Sequence, residues 1–223
     1  MFDNRIEEYV GLLVKRYPAL KTVQKDIITA YLIMEECYMN GGKLLIAGNG
    51  GSAADSEHMA GELMKRFKIR RPVSEEIARK LESIDPIRGK SLAEDLECSL
   101  MAIPLVAHEA LTTAYINDVG GHGVFAQQLF GYGRAGDVFL AISTSGNSEN
   151  ILMAAVVAKA VGIQVVGLTG AGGGELAKVS DVVVKVPEVE TYMVQEYHLP
   201  IYHCWCLMLE DKFFGNSDRN RGK

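Results

Sequence analysis

The sequence predicts an α/β fold with a doubly wound, five-stranded parallel sheet and helices on both faces. Short, almost wholly apolar segments alternate with stretches of helical residue choice, which is typical of parallel strands buried on both sides. Two of these segments run into glycine-rich or hydroxyl-rich turns that precede a helix. Ligands on such sheets bind beyond the carboxyl ends of the strands. The predicted strands are 44–47, 100–106, 137–142, 164–168 and 181–186.

Two helices are predicted before the first strand, within residues 2–39, because apolar residues recur there at helical spacings. Asn40, Gly41 and Gly42 end the second helix. A doubly wound sheet does not need two helices at this point. We therefore expect residues 1–40 to form a helical hairpin that leaves an apolar face for another subunit.

The first strand leads through a glycine turn into a helix, within residues 44–63. Unpaired N–H groups and the positive dipole end of that helix make an anion site, to which Asn49 and Ser52 can add contacts. Further along the helix, His58 and Glu62 are spaced i, i+4 and share one face. Such a pair can bind a metal or transfer a proton, although alone it is more often a solvated helix face.

The same turn also fits a dinucleotide-binding fingerprint, with Gly48, Gly50 and Ala53 at the required spacing. That motif needs an acidic residue about twenty positions later, and this chain has the basic segment 68–72 there. A P-loop is excluded because no Gly-Lys-Ser/Thr follows the glycines. A dinucleotide enzyme is therefore disfavoured.

A charged segment at 74–97 interrupts the strand–helix alternation, with helical pieces at 75–84 and 91–96. It is predicted to be a surface insertion, either a lid or a structural excursion. Pro104 predicts that the following strand is an edge strand or ends there. Asp118 is expected to cap a helix that begins near Val124.

The third strand precedes a turn with four hydroxyl side chains, which lie within residues 143–148. A helix cap needs only one or two hydroxyls, so their density favours a binding site for a phosphate monoester.

Near the other end of the chain, Pro200 is tolerated only close to a helix start. The last regular helix is therefore predicted to begin within 196–199, with His203 about one turn inside, and the tail 215–223 is expected to fray.

The composition is that of an ordinary soluble protein: 223 residues, 48% apolar and 23% charged. A net charge of −5 argues against binding to nucleic acid or an anionic membrane surface and suits a small anionic metabolite better. The sequence begins without the basic-then-apolar order of a signal peptide, and no apolar run approaches the length of a membrane span. The expected location is cytoplasmic.

These residues together resemble the sugar isomerase (SIS) domain family, and more narrowly its phosphoheptose isomerases. The resemblance covers 41–209 apart from the insertion, and its motifs are GNGGSxxDxxHxxxE, STSGNS, and QExH followed by a second histidine. It implies a flavodoxin-like SIS fold over 1–223 as a single domain. It also implies aldose–ketose isomerisation of a sugar phosphate through an enediol, with sedoheptulose 7-phosphate as substrate.

The resemblance further implies a homotetramer with active sites at subunit interfaces and one zinc ion per subunit. The implied zinc ligands are His58, Glu62, Gln195 and His203, of which Glu62 and His203 would be the acid/base pair. The implied substrate contacts are Asn49, Gly50, Gly51, Ser52, Arg66, Asn117, Asp118, Ser143, Thr144, Ser145, Ser148 and Gln195. Gln195 and His203 are eight residues apart, about 12 Å of helical rise. On that spacing they meet one metal only if Gln195 precedes the regular helix or the ligands come from two chains.

Two departures from the family leave alternatives open. The family usually has an Asp where this chain has Tyr192, and the 74–97 insertion is absent from its commoner members. Another ketose phosphate or a phosphorylated amino sugar therefore remains possible as substrate. Some SIS proteins are not enzymes but sense sugar phosphates or bind the replication initiator DnaA. Those relatives lack the acid/base positions, whereas Glu62 and His203 are present here, which favours an enzyme.

Overall fold

The computed structural model, which describes residues 4–215, contains one five-stranded sheet in which every neighbouring pair of strands is parallel. Its strand order is 2-1-3-4-5 along the sheet, the flavodoxin-like order. The predicted α/β architecture is confirmed. The tail predicted to fray lies, from residue 216 onward, outside the described residues. The strands are β1 (Leu44–Ala47), β2 (Ala102–Pro104), β3 (Val138–Ile142), β4 (Gln164–Thr169) and β5 (Val182–Lys185).

Ten α-helices and two 3₁₀ helices, Pro18–Val23 and Gly121–Gly123, occupy most of the remaining described chain. In residues 4–215 we find no helix with both the length and the apolar character needed to cross a bilayer. The α-helices are α1 (Asn4–Arg16), α2 (Gln24–Met39), α3 (Gly51–Met64), α4 (Glu75–Ile84), α5 (Pro86–Asp95), α6 (Glu109–Asp118), α7 (Val124–Tyr132), α8 (Glu149–Ala160), α9 (Leu176–Val179) and α10 (Thr191–Phe214).

The sheet is buried on both faces, which explains the nearly continuous apolar strands. In β1, Leu44 and Ile46 join an apolar cluster on one face together with residues of α1, α2, α3 and α10. Leu45 and Ala47 point to the opposite face and join residues of α7 and α8. The predicted extra N-terminal helices thus pack on the face of the sheet to which Leu44 and Ile46 point.

The order in which strands are added reverses at β1. β2 lies next to β1 on one side, and β3 lies next to β1 on the other. The crevice between the carboxyl ends of β1 and β3 is therefore the expected ligand site of this topology. β2 is an edge strand that ends at Pro104, as predicted.

The predicted cap of α7 and the predicted start of α5 were wrong, although α7 begins at Val124 as predicted. Asp118 does not cap α7, because it is the last residue of α6 and a 3₁₀ turn intervenes, leaving Gly123 as the N-cap residue. The second helix of the 74–97 segment begins at Pro86, five residues before the predicted start at 91. There, the Asp85 carboxylate accepts hydrogen bonds from two backbone N–H groups, and Pro86 occupies the first turn, where no N–H is needed.

The predicted start of the last helix was also wrong. α10 begins at Thr191 and continues through Pro200, whereas its regular part was predicted to begin within 196–199. A proline inside a helix costs a backbone hydrogen bond. Here Val194, Ile201 and Tyr202, on both sides of the proline, are fully buried, so packing against the core outweighs that cost. Gln195 and His203 consequently lie on one helix.

Candidate active site

The turn after β1 is tied to the start of α8 by a reciprocal amide pair. Asn49 Nδ2 donates to Asn150 Oδ1 at 3.0 Å, and Asn150 Nδ2 donates to Asn49 Oδ1 at 2.9 Å. The turn itself requires glycine at two positions. A methyl group at Gly48 would lie 2.4 Å from the Ser52 carbonyl oxygen, and Gly50 has a φ of +56°. These contacts hold Asn49 beside the crevice between β1 and β3.

The hydroxyl-rich turn after β3 is held by hydrogen bonds between its own residues. The hydroxyl oxygens of Ser143 and Ser148 are 3.0 Å apart, and Ser145 Oγ accepts a hydrogen bond from the backbone N–H of Asn147 at 3.1 Å. Ser148 is the N-cap residue of α8, yet within the described chain its side chain makes no capping bond. The hydroxyls are therefore not consumed by capping the helix, so a bound anion could accept from them.

His58 and Glu62 on α3 meet His203 on α10. His58 Nε2 lies 3.5 Å from Glu62 Oε1, and the rings of His58 and His203 are 5.0 Å apart between centroids. Phe67 also packs on His203, with 5.4 Å between ring centroids. Glu62 and His203, the two predicted acid/base residues, thus both lie next to His58, a predicted metal ligand.

The environment of His203 favours its neutral imidazole. Burial is the main cause that lowers the pKa of His203, the neighbouring His58 lowers it further, and Glu62 opposes both. His203 Nε2 is buried and has no hydrogen-bond partner among residues 4–215. A neutral, unpartnered ring nitrogen can accept a proton or bind a metal.

Imidazole nitrogens and a carboxylate are ligand types that zinc takes, so the His58, Glu62 and His203 side chains fit that ion chemically. Their present arrangement is not that of a metal centre. Lys65 Nζ lies 2.7 Å from Glu62 Oε2, and across the described residues no three His, Cys, Asp or Glu side chains are arranged to hold a metal.

Gln195 lies at the opposite end of α3 from Glu62. A methyl group at Gly51, the first residue of α3, would lie 2.7 Å from Gln195 Nε2, so the glutamine side chain packs directly on the glycine turn. Because α10 is continuous, Gln195 is separated from His203 by about 12 Å of helical rise. Gln195 therefore does not precede the regular helix, and the first condition for sharing a metal with His203 is not met.

Arg66 follows α3 and is held by the end of the 74–97 segment. Its backbone N–H donates to Glu97 Oε2 at 2.8 Å, and its guanidinium lies 3.5 Å from Glu97 Oε1. Asn117 and Asp118 end α6, are exposed, and hydrogen-bond to each other at 2.8 Å.

Glu97 and Asn150 were not predicted from the sequence. Asn150 lies only two residues beyond Ser148, so its place next to the hydroxyl-rich turn was a signal that could have identified it.

Comparisons with known proteins agree with this fold. The family model described as SIS domain matches residues 8–99 and 99–170. The phosphoheptose isomerase of Aneurinibacillus thermoaerophilus is 41% identical over 182 residues, covering 82% of this chain and 79% of that protein. The phosphoheptose isomerase of Akkermansia muciniphila is 34% identical over 203 residues, covering 91% of this chain and 94% of that protein.

The solved structures give the same result. Phosphoheptose isomerase GmhA from Neisseria gonorrhoeae superposes with a TM-score of 0.71 at 31% identity, covering 93% of this chain and 98% of that one. A phosphoheptose isomerase from Francisella tularensis gives a TM-score of 0.72 at 29% identity, covering 93% and 97%. The chain therefore belongs to the SIS domain family and, within it, to the phosphoheptose isomerases.

Proposed function

We propose that this protein is an aldose–ketose isomerase that converts sedoheptulose 7-phosphate to D-glycero-D-manno-heptose 7-phosphate. The observation that carries the proposal is that Glu62 on α3 and His203 on α10 both lie next to His58. The names of its relatives at 41% and 34% identity support the same reaction. A regulatory SIS protein is disfavoured because both acid/base residues are present.

The reaction needs a base and an acid on either side of an enediol. A base removes a proton from C1 of the ketose, next to the C2 carbonyl, while an acid protonates the carbonyl oxygen. The resulting enediol collapses the other way when a proton is delivered to C2 and the hydroxyl on C1 gives up its proton to form the aldehyde. Glu62 and the neutral His203 supply one carboxylate and one imidazole for these transfers.

The remote phosphate would be held at the two turns in the crevice. The hydroxyls of Ser143, Ser145 and Ser148, together with the N-terminus of α8, offer hydrogen-bond donors to a phosphate monoester. Fixing this end of the substrate restricts where the sugar carbons can lie relative to Glu62 and His203.

We further propose that zinc binds at His58, Glu62 and His203, with Gln195 of a second chain as the remaining predicted ligand. When bound, the ion would polarise the carbonyl and stabilise negative charge on its oxygen. The separation of Gln195 from His203 along α10 supports a site shared between subunits. A cytoplasmic homotetramer that binds neither nucleic acid nor membrane remains the expected form.

The proposal is tested by measuring metal content together with turnover. Elemental analysis of the purified protein is expected to find about one zinc per chain. Chelation should abolish turnover of sedoheptulose 7-phosphate, and added zinc should restore it. His203→Ala should lose both zinc and activity. Metal-free protein that turns over no sugar phosphate would contradict the proposal and favour a binding or regulatory role.

Ser145→Ala is expected to weaken substrate binding rather than the chemical step. A hydrogen bond to a charged group contributes about 1.5–3 kcal/mol, so KM should rise by about tenfold or more while kcat changes little. Steady-state kinetics with sedoheptulose 7-phosphate checks this. Ser83→Ala, which removes an exposed hydroxyl on α4, is the matched control. A fall in kcat at unchanged KM would place Ser145 in the chemistry instead.

A further inference from the structure

We propose that Tyr202, itself oriented by Asp55, is a positioning residue that fixes the tautomer of His58 and leaves His58 Nε2 free to face Glu62. Neither Tyr202 nor Asp55 belongs to the predicted site. The catalytic consequence of the inference rests on the proposed function, whereas the tautomer itself does not.

The three side chains form one hydrogen-bonded chain between α3 and α10. The Tyr202 hydroxyl donates to Asp55 Oδ1 at 3.1 Å and lies 3.0 Å from His58 Nδ1. Tyr202 is fully buried, and its ring meets the His58 ring edge to face at 5.6 Å between centroids. The tyrosine is thus held in place by packing as well as by its hydroxyl.

The number of available protons sets which of these three side chains donates and which accepts in each hydrogen bond. A phenol has one proton, and an ionised carboxylate can only accept a hydrogen bond. When the Tyr202 proton goes to Asp55, the phenol oxygen must accept from His58, which places the imidazole proton on Nδ1. In the neutral imidazole, His58 Nε2 then carries the lone pair. The group that competes for a proton on this nitrogen is the Glu62 carboxylate, whose Oε1 lies 3.5 Å away.

Loss of the Tyr202 hydroxyl should release the constraint on the tautomer of His58. A neutral histidine side chain in water prefers its proton on Nε2, and that tautomer would put a proton on the nitrogen that faces Glu62. A group that hydrogen-bonds to the second nitrogen of a metal-ligating histidine typically contributes a factor of about 10–100 in metal affinity. Tyr202→Phe removes only the hydroxyl and keeps the buried ring.

The test compares Tyr202→Phe with Tyr38→Phe as full-length, metal-free proteins. Tyr38 is also buried and also loses one hydrogen bond, from its hydroxyl to the Met101 carbonyl at 3.1 Å, but it does not contact the site histidines through that hydroxyl. Proton–nitrogen correlation spectra of ¹⁵N-histidine-labelled protein report the tautomer. The His58 signals are those lost in His58→Asn. Zinc affinity is measured separately by competition with a chromophoric chelator.

We expect the proton on Nδ1 of His58 in the wild type and in Tyr38→Phe, and a shift toward the Nε2–H form in Tyr202→Phe. Zinc affinity should fall about 10–100-fold in Tyr202→Phe alone. A wild-type His58 with its proton on Nε2, or an unchanged tautomer in Tyr202→Phe, would overturn the inference. If the wild type bound no zinc and turned over no sugar phosphate while the tautomer still shifted, the proposed function would fail and the positioning role would stand.

Discussion

Glu62→Gln is expected to lower kcat for sedoheptulose 7-phosphate by about 10²–10⁴-fold, the usual contribution of a general acid or base. The substitution keeps the size of the side chain and an oxygen that can accept from Lys65, which now lies 2.7 Å from the carboxylate. It removes the ability to take up a proton. Steady-state kinetics, with circular dichroism to confirm the fold, measures the effect.

Glu57→Gln is the matched control, because Glu57 lies on the same helix but is exposed to solvent. Its kinetic constants should equal those of the wild type. Near-normal turnover by Glu62→Gln would show that Glu62 is not the acid/base group and would sink the mechanism. A loss confined to KM would instead assign Glu62 to substrate binding.

The sheet and the position of the candidate site were predictable because they follow from local patterns. Strands buried on both faces must be apolar along their whole length, as β3 is, so the sequence marks them directly. A parallel sheet then dictates that the turns at Gly48 and Ser143 meet at one edge. That His58 and Glu62 share one face follows from their i, i+4 spacing once the helix itself is predicted correctly.

The start of α10 was not predictable from local rules. Pro200 disfavours a helix interior, and the residues before it offer no strong helix start signal. What holds the helix together is burial of Val194 and Ile201 in a core assembled from distant parts of the chain. Packing of this kind overrides the local preference and is not visible in a short window of sequence.

The partners of the site residues were missed for a related reason. Tyr202 and Asp55 are separated by 147 positions, and Asn49 and Asn150 by 101. Each pair requires two elements to be placed side by side before a hydrogen bond can be recognised. Glu97 binds Arg66 from the end of the segment that the sequence indicated only as an insertion.

Glu210→Ala is expected to destabilise the fold by about 3–5 kcal/mol, because it leaves a buried charge without its partner. The side chains of Arg71 and Glu210 are 0% and 1% exposed, and two guanidinium nitrogens of Arg71 lie 3.0 and 2.8 Å from Glu210 Oε1. The same carboxylate accepts from the backbone N–H groups of Phe67 and Lys68 at 2.7 and 2.8 Å. Urea denaturation at neutral pH measures the change.

The exposed ion pair of Lys80 with Glu76 gives the matched control, since both its side chains lie in solvent and Glu76→Ala should leave stability almost unchanged. Arg71 also donates to the backbone carbonyls of Leu63 and Glu62 at 2.8 and 3.2 Å, so the buried pair fixes the end of α3 that carries Glu62. If Glu210→Ala unfolded at the same urea concentration as the wild type, the buried pair would not be a major source of stability. Glu62→Gln, by contrast, should lose activity while folded.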